Sequence, residues 1–514
     1  MAAAALDRLV QDNSPFAVTR ALVSGREQTV FRHGAASLPE IYRKAFQANG
    51  RTILITDDTD LTLRDLSRRA GAYQRLLVDR GIGSGARVAI ALENDAEWIA
   101  AFVALTSLGA TAVLTDVTCL TRQAGVAACD IAVTDRQLET KLDSIICPDQ
   151  CRSAGDALPA FLALDPDQDA CIAFTSGSSG DSKGIILTHR GITTGLMNMM
   201  LAGAAAARTQ SPARAKTARP APTALLRTPL IHVSGYMQLL LMLMTGGRIL
   251  RSRQDTICPL IARHQVTSVI GISDEEIAML LDTGAEALHP LRSIAVAGRN
   301  LPARLRRAVR ERLPDLGLGA GYGLTETNGL ISAIGNTELD TRPHAVGPLP
   351  PTVQCRITAE DGRNCETGES GVIRLSGAML MRGYCHGSGL EDGWFVTGDV
   401  GYLSQDGYLH VLDKEHRFLR DGERRISCRE IEEAARAVTG ITDIAALVRS
   451  GEAGEELMIV AATGAENLAH LREVIARHIP ASIAVKAKFV ATNRLPRTAS
   501  GKIAYARLAD DMPI

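Results

Sequence analysis

Apolar and polar positions along the chain follow a strand period in some segments and a helix period in the segments between them. Between Arg87 and Thr115, a strand pattern leads into a helix-period segment and then into a second apolar strand. This succession is typical of a βαβ unit, and further strand patterns begin at Thr223 and Ser268. Because repeated βαβ units build parallel sheets, the pattern predicts an α/β fold whose sheets are largely parallel.

One stretch in the middle of the chain breaks this rhythm. Residues 203–224 are rich in Ala, Pro and Arg and have no apolar periodicity, so we predict a loop there. No Asp or Glu occurs between Arg190 and Gln254, which makes the segment locally basic. A solvated insert and a contact surface for a phosphorylated ligand or an acidic partner both agree with this composition.

The pattern changes again after Asp413, where a charged segment interrupted by a glycine is typical of a hinge or linker. A helix should follow, with Ser427 and Glu430 at capping-box spacing and Gly440 at its end. Two strand-like runs and a further amphipathic helix, closed by Pro480, complete the region. The C-terminal region is therefore predicted to be a small α+β domain.

The length of the chain agrees with a division into domains. A chain of 514 residues is too long for one ordinary core, since about 150 residues per domain is typical. We predict a large N-terminal domain over residues 1–412, a hinge over 413–417 and a small, mobile C-terminal domain over 418–514.

Charge and composition limit the possible partners. The 56 Lys and Arg residues nearly balance the 57 Asp and Glu residues, so no overall field attracts nucleic acid or anionic lipid. The apolar runs are too short to span a membrane, and the N-terminus lacks the basic start of a signal peptide. Scattered cysteines favour reduced thiols. We expect a cytoplasmic protein with a small-molecule ligand, no nucleic-acid partner and no membrane span.

The stretch "FTSGSSGDSKGIILTHR" carries the most chemistry in the sequence. Its glycines let the backbone approach a ligand closely, its hydroxyls can donate hydrogen bonds, and Lys183 supplies a positive charge. It is not a Walker loop, because Lys183 is followed by Gly184 rather than by Ser or Thr. The composition nevertheless predicts a loop that binds a polyphosphate.

This stretch resembles the phosphate-binding loop of the adenylate-forming superfamily, which includes acyl-CoA synthetases, luciferase and the adenylation domains of peptide synthetases. Ser182 stands where a proline is usual. Four further segments are similar to the superfamily's other motifs in the same order: "TPLIHVSG" from Thr228, "GYGLTET" from Gly321, "DGWFVTGDVGYLSQDGYLHV" from Asp392 and "LPRTASGKI" from Leu495. The resemblance covers roughly residues 50 to 505.

The resemblance implies that the protein uses ATP with Mg²⁺. It implies that Thr325 contacts the α-phosphate, that Glu326 holds Mg²⁺ directly or through water, and that Asp399 accepts hydrogen bonds from the ribose hydroxyls. The implied nucleotide-binding residues are Thr175, Ser176, Gly177, Ser178, Ser179, Gly180 and Lys183 at the phosphates, and Gly298, Tyr322, Gly323, Asp399 and Lys414 around the nucleoside.

The resemblance also implies the catalytic cation and the substrate pocket. Lys502 would carry the positive charge to the α-phosphate and the attacking carboxylate. His232 would face the acyl group or gate the passage of the thiol, and the implied pocket residues are His232, Gly235, Tyr236, Arg299 and Gly321. Amino-acid-activating relatives usually carry an aspartate near His232, and its absence here implies a carboxylic acid without an α-amino group.

The implied activity is that of an AMP-forming acid–thiol ligase. It would form an acyl or aryl adenylate and transfer the acyl group to a thiol, with CoA as the first candidate. The hinge block departs from the superfamily pattern, with Asp413, Lys414, Arg417 and Glu423 at positions where Gly, Arg, Asp and Gly are usual. Two alternatives therefore stay open: loading of the phosphopantetheine of an acyl carrier protein, and a nucleotide-binding regulatory relative without turnover.

A second departure generates the first prediction. Arg299 replaces a small residue in a segment that borders adenine and the acyl pocket in the superfamily. If the guanidinium pairs with a polar or anionic end of the substrate, Arg299→Ala should change the relative rates with neutral and dicarboxylic acids. Competition between such acids in one reaction measures this selectivity. Unchanged selectivity would show instead that Arg299 points outward from a turn.

Overall fold

The computed structural model divides the chain into two compact units. One unit contains residues up to 175, 183–354 and 376–395, and the other contains residues 355–375 and those from 396 onwards. The structure describes residues 2–48, 50–93, 95–129, 131–135, 142–146, 158–175, 183–208, 221–254, 256–283, 287–296, 301–335, 338–342, 344–387, 389–422, 424–436, 438, 441, 443–451, 454–484, 487–497, 503–505 and 507–508.

The first unit contains most of the strands and helices. Its strands are β1 Val18–Val23, β2 Arg26–Phe31, β3 Thr52–Ile55, β4 Asp60–Thr62, β5 Arg87–Ala91, β6 Thr111–Leu114, β7 Ile131–Thr134, β8 Asp143–Ile146, β9 Asp169–Thr175, β10 Lys183–Thr188, β11 Thr223–Leu226, β12 Arg248–Leu250, β13 Ser268–Ile270, β14 Ser293–Ala295, β15 Gly317–Leu324, β16 Gly329–Gly335, β17 Ala345–Pro348 and β20 Gly383–Tyr384. Its helices are α1 Ala2–Leu9, α2 Leu38–Ala45, α3 Leu63–Asp79, α4 Asp95–Ser107, α5 Leu120–Val126, α6 His189–Arg208, α7 Val233–Thr245, α8 Cys258–His264, α9 Asp274–Asp282, α10 Ala303–Arg312 and α11 Glu338–Thr341.

Two large sheets organise the first unit. One has the strand order β20-β10-β9-β6-β5-β7-β8, and the other has the order β16-β15-β14-β13-β11-β12-β3-β4. The central strands of both sheets pair in parallel, and antiparallel pairs stand at the edges. The predicted α/β fold with largely parallel sheets is confirmed, and the segment from Arg87 to Thr115 is the βαβ unit β5-α4-β6.

The prediction of a loop over residues 203–224 is wrong at its start, and its last two residues belong to the strand predicted to begin at Thr223. Helix α6 continues to Arg208, and β11 begins at Thr223. The physical reason is that the Ala run after Gly203 has a high intrinsic helix propensity. The helix is also stabilised because Leu201 and Ala205 pack in a buried apolar cluster. Residues 209–220 of the predicted loop lie outside the described residues.

In its described residues, the second unit combines three small sheets with three short α-helices. Strands β18 Gln354–Thr358, β19 Gly371–Ser376, β21 Phe395–Leu403 and β22 Tyr408–Lys414 lie in the order β22-β21-β19-β18. Strands β23 Phe418–Asp421 and β24 Arg424–Ser427 form a hairpin, and β25 Asp443–Gly451, β26 Gly454–Ala462 and β27 Lys488–Thr492 form a third sheet. The helices are α12 Cys428–Ala435, α13 Leu468–Ala476 and α14 Ala481–Ala484.

The elements predicted for the C-terminal region are present, but the predicted capping box is wrong. Ser427 caps α12 by accepting a hydrogen bond from the backbone N–H of Arg429, and no capping box with Glu430 forms. The charged segment after Asp413 ends β22 and forms the β23–β24 hairpin, and its role as a hinge stays a prediction. Asp413 is only 1% exposed, because its charge is compensated by Arg417, four residues further on, and by hydrogen bonds from the Ser427 hydroxyl and the Arg429 backbone N–H.

A buried histidine near the start of α6 generates the second prediction. His189 is fully buried, and its Nδ1 accepts a hydrogen bond from the backbone N–H of Leu38 at 3.3 Å. The ring proton therefore lies on Nε2, which has no hydrogen-bond partner among the described residues. Burial lowers the pKa of His189 to about 4, since a charged imidazolium would lose its hydration there.

We expect His189 to make the fold sensitive to acid. The unfolded chain binds a proton on this residue below about pH 6.5, and the folded chain does so only below about pH 4. Folding stability should therefore be retained at neutral pH and fall by about 3 kcal/mol as the pH drops to 4. Urea unfolding at several pH values should give a flatter profile for His189→Gln. The matched control His289→Gln, at an exposed position, should keep the wild-type profile.

Candidate active site

The predicted phosphate loop is an antiparallel hairpin connection. Strands β9 and β10 pair in antiparallel register, with Thr175 directly opposite Lys183. The two ends of the predicted loop are thus neighbours across the hairpin, and Lys183 is exposed as the first residue of β10. This geometry differs from the strand-to-helix junction of a Walker loop, as the spacing predicted. Ser176, Gly177, Ser178, Ser179 and Gly180 lie outside the described residues.

The second predicted phosphate segment is a tight turn between β15 and β16. A single 3₁₀ turn covers Thr325–Thr327, and the following residue, Asn328, has the left-handed conformation with φ 52°. The Thr327 hydroxyl bonds to the backbone at Leu324 and Gly329, which closes the turn. The amide of Asn328 donates to Met379 O at 2.9 Å. The turn therefore holds Thr325 and Glu326 on a rigid backbone.

Lys183 and Glu326 share a neighbour that sequence reasoning missed. The phenol of Tyr384 donates a hydrogen bond to Glu326 Oε1 at 3.1 Å, and the Lys183 ammonium lies 5.4 Å from the centre of the same ring. Burial raises the pKa of Tyr384, and the Glu326 carboxylate raises it further, so the phenol stays protonated as a donor. The sequence signal was a lone tyrosine in the glycine-rich stretch "RGYCHGSG".

The glycines predicted to line the ligand sites have a packing role in the fold. A Cβ at Gly323 would lie 2.0 Å from Gly329 O, and one at Gly321 would lie 2.2 Å from the side chain of Leu330. At Gly235 it would lie 2.0 Å from Pro229 O. These contacts alone require glycine, whichever ligand binds nearby. Tyr322, between two of these glycines on β15, is largely buried.

The segment around His232 begins helix α7. His232 is the N-cap residue with extended backbone, and its carbonyl accepts hydrogen bonds from the backbone N–H groups of Gly235 and Tyr236. Tyr236 is fully buried, with its ring 5.7 Å from that of Phe102 and its hydroxyl 3.9 Å from Cys171 Sγ. Such burial favours a supporting role for Tyr236 behind the His232 turn.

A cavity of about 240 Å³ adjoins this segment. Its lining combines apolar and acidic side chains with one arginine: Leu92, Glu93, Asp95, Trp98, Thr115, Asp116, Val117, Thr118, Pro229, Leu230, Ile231 and Arg251. Arg251 is already paired with Asp95 at 3.1 Å and donates to two backbone carbonyls. The lining carboxylates oppose the binding of an anionic group, so an apolar or cationic group fits this cavity better.

The two nucleoside-binding candidates in the second unit contact each other. Asp399 on β21 is directly opposite Lys414 on β22, and Lys414 Nζ lies 2.8 Å from Asp399 Oδ1. The Asp399 carboxylate is buried, and the Thr397 hydroxyl, two residues earlier on the same strand, accepts a hydrogen bond from the Asp399 backbone N–H. A carboxylate has about four acceptor positions, so an ion pair with Lys414 does not by itself exhaust those of Asp399.

Arg417, at the position where the superfamily has an aspartate, is part of a buried charged cluster. Its side chain is 12% exposed and lies 2.6 Å from Glu432 Oε1 and 3.4 Å from Asp413 Oδ1. Tyr505 donates to Glu432 at 3.0 Å, and its ring lies 4.3 Å from the guanidinium carbon of Arg417. Ser427 donates to Asp413 at 2.8 Å. The cluster joins β22 to α12 and to the C-terminal residues of the second unit.

The remaining predicted residues lie outside the described part of the chain: Gly298, Arg299, Glu423 and Lys502. Among the described residues, no group of three or more His, Cys, Asp or Glu side chains could hold a metal ion. A Mg²⁺ site does not need such a group, since Mg²⁺ usually takes one or two carboxylates and fills its other positions with waters and phosphate oxygens. Glu326 fits that requirement, because its carboxylate accepts a hydrogen bond from Tyr384 at Oε1, the only such bond that the described residues make to it. Within the described ranges, no helix is both long and apolar enough to cross a bilayer.

Comparison with known proteins identifies the family. A family model described as AMP-binding enzyme matches residues 41–385. The chain belongs to the AMP-binding enzyme family, which confirms the resemblance to adenylate-forming enzymes.

Individual relatives match over nearly the whole chain. The chain is 27% identical to feruloyl-CoA synthase of Amycolatopsis sp., covering 90% of this chain and 96% of the relative. It is also 27% identical to 2-succinylbenzoate–CoA ligase of Bacillus velezensis, covering 89% and 94%.

Solved structures show the same fold. An o-succinylbenzoate CoA synthetase from Bacillus subtilis, solved with its acyl-adenylate intermediate, gives a TM-score of 0.77 at 23% identity and covers 92% of this chain and 98% of its own. The ATP-bound MatB from Rhodopseudomonas palustris gives a TM-score of 0.78 at 22% identity, with the same coverage. The α/β architecture predicted from the sequence is therefore that of adenylate-forming enzymes.

The Arg417 cluster generates the third prediction. Burial raises the pKa of Glu432, and the nearby Arg417 charge opposes that rise. Arg417→Met would leave Glu432 and Asp413 buried without their cation, so it should lower the free energy of unfolding by about 3–5 kcal/mol. Urea unfolding of the purified protein measures this loss.

The matched control is Arg420→Met, three residues further along. Arg420 pairs with Glu360, but both side chains are at least half exposed, and such a pair contributes less than about 1 kcal/mol. Equal losses for the two variants would contradict a stabilising role of the buried cluster.

Proposed function

We propose that the protein activates a carboxylic acid with ATP and transfers the acyl group to the thiol of CoA. In the first step, a carboxylate oxygen would bond to the α-phosphorus, and the bond from that phosphorus to the bridging oxygen of pyrophosphate would break. In the second step, the thiol sulfur would attack the acyl carbon of the adenylate, AMP would leave, and the thiol proton would pass to a base or water.

The arrangement of Lys183 and Glu326 around Tyr384 is the observation that carries this proposal. A phosphate-binding ammonium and a carboxylate suited to Mg²⁺ meet the same side chain in the unit that the family model covers. Phosphoryl transfer depends mainly on positioning and charge stabilisation, and these two groups provide both. Bound Mg²⁺ would neutralise charge on the phosphate oxygens.

The other predicted residues have separate roles in the proposal. Thr325, beside Glu326 on the same rigid turn, would contact the α-phosphate, and Tyr322 would lie beside adenine. Asp399, supported by Lys414, would accept hydrogen bonds from the ribose. Lys502 would stabilise the transition state of the first step, and His232 would face the acyl group or the incoming thiol.

An aromatic acid without an α-amino group is the substrate class that we propose. Both kinds of curated relatives are named for CoA ligases of aromatic acids. The segment around His232 has no aspartate to pair with an α-ammonium group. The proposed domain boundaries, with a hinge at 413–417 and a catalytic small domain over 418–514, would let Lys502 act in the first step and withdraw for the second.

Pyrophosphate release across a panel of aromatic, aliphatic and dicarboxylic acids, with and without CoA, tests the proposed function. We expect release that requires an acid and accelerates with CoA. Lys502→Ala should slow it about a hundredfold, because a cation aimed at the transition state is lost. The control Lys44→Ala, at an exposed position on α2, should leave the rate unchanged.

Two results would redirect this proposal. Acid-dependent release that ignores CoA would indicate a carrier-protein phosphopantetheine as the acceptor. ATP binding without any acid-dependent release would indicate a regulatory relative that has lost turnover.

A further inference from the structure

Tyr384 contacts both charged groups of the candidate phosphate site. Its hydroxyl, at one end of the ring, donates to Glu326 Oε1, and the face of the ring meets the Lys183 ammonium. An ammonium within about 6 Å of an aromatic centroid is attracted by the ring's quadrupole. Tyr384 is therefore one neutral side chain that interacts with a cation at the start of β10 and with an anion on the turn after β15.

The backbone around Tyr384 fixes this position. Strand β20 pairs with β10, with Tyr384 opposite Ile185, and Cys385 N donates to Gly184 O at 2.8 Å. On the other side, Met381 N donates to Glu326 O at 2.8 Å. The same short segment thus bonds to the strand that starts at Lys183 and to the turn that carries Glu326.

The local sequence also makes room for the ring. Gly389 has φ 65°, and a Cβ at this position would lie 2.4 Å from the Tyr384 ring. A larger residue there would displace the ring or strain the backbone. The position of the Tyr384 ring therefore depends on a glycine five residues after the end of the strand as well as on the sheet pairing.

We propose that Tyr384 is a positioning residue for magnesium–nucleotide binding, which acts by fixing the Glu326 carboxylate and steering the Lys183 ammonium. This inference rests on the proposed function, because it assumes that Glu326 holds Mg²⁺ and Lys183 a phosphate. One carboxylate oxygen of Glu326 accepts from the phenol, which orients the group before the metal arrives. The side-chain entropy that a free glutamate would lose on binding Mg²⁺ is then already lost in the folded protein.

The hydroxyl and the ring have separable effects. Tyr384→Phe keeps the ring beneath Lys183 and removes only the hydrogen bond to Glu326. Because a hydrogen bond to a charged group is stronger than one between neutral groups, we expect the variant to bind ATP about tenfold more weakly in the presence of Mg²⁺. In EDTA its affinity for ATP should match that of the wild type, since the hydroxyl acts through the metal-binding carboxylate.

A matched control removes the same chemistry elsewhere. Tyr73 donates to the Glu97 carboxylate at 2.9 Å in the interior of the first unit. Tyr73→Phe therefore loses a phenol–carboxylate hydrogen bond without touching the candidate site. It should change thermal stability but not the Mg²⁺ dependence of ATP binding. Calorimetric titration of ATP into each full-length variant, with Mg²⁺ or with EDTA, gives all the affinities.

A second variant tests whether Tyr384 acts through Glu326. In a Glu326→Gln background, Tyr384→Phe should cause no further loss of ATP affinity with Mg²⁺, because the group it positions is already gone. If the losses of ATP affinity caused by the two substitutions were additive, the proposal that Tyr384 acts through Glu326 would be overturned. If Tyr384→Phe fails to fold, the affinity of Glu326→Gln for ATP is measured at increasing Mg²⁺ concentrations instead. An ATP affinity that depends on Mg²⁺ as in the wild type would overturn the inference.

The outcomes separate this inference from the proposed function. A wild-type protein that binds ATP and releases pyrophosphate with an acid, together with a Tyr384→Phe variant of unchanged Mg²⁺ dependence, would overturn the inference alone. A wild-type protein that binds no ATP with Mg²⁺ would overturn both.

Discussion

The hydrogen bonds that join β10, β20 and the turn at Glu326 are the constraint on which the first unit's site depends. Lys183 stands at the start of β10 and Glu326 on a turn more than 140 residues later, so no local interaction can relate them. The two-residue strand β20 does so, because it pairs with β10 and its preceding residue bonds to Glu326 O. Buried backbone groups need partners, so this junction holds both sides at a fixed spacing.

Sequence reasoning succeeded where the determining interactions are local or periodic. The βαβ unit from Arg87 follows from side-chain period, since strands and helices bury one face at fixed repeats. The hairpin nature of the phosphate loop agrees with a spacing that excluded a Walker junction. Gly321 and Gly323 were expected to line the ligand sites, which stays a prediction; the structure shows close packing against β16 at both positions.

It failed where distant residues decide the outcome. A run of charges after Asp413 predicts solvent exposure, because an unpaired buried charge is costly. Arg417 is buried because it pairs with Glu432, which also accepts a hydrogen bond from Tyr505. Nothing in the sequence around Arg417 identifies these two residues. Tyr384 was missed for the same reason: its importance comes from two contacts made across the sheet. The helix over residues 203–208 was not predicted, because the Pro and Arg residues that follow the Ala run are typical of a loop.

The Arg417 cluster and the group formed by Lys183, Tyr384 and Glu326 differ in how far their charges are buried. In the second unit, Arg417 is almost enclosed with two carboxylates, so desolvation and pairing nearly balance and the cluster favours one specific arrangement. In the first unit, Lys183 is exposed and Glu326 is half-buried, so their charges remain available to a ligand. A neutral phenol between such groups positions them without cancelling either charge, whereas a direct ion pair would have to break before phosphate and metal could bind. Selection for catalysis and selection for stability would therefore favour different partners for a charge: a ring and a hydroxyl at the site, and an opposite charge in the interior.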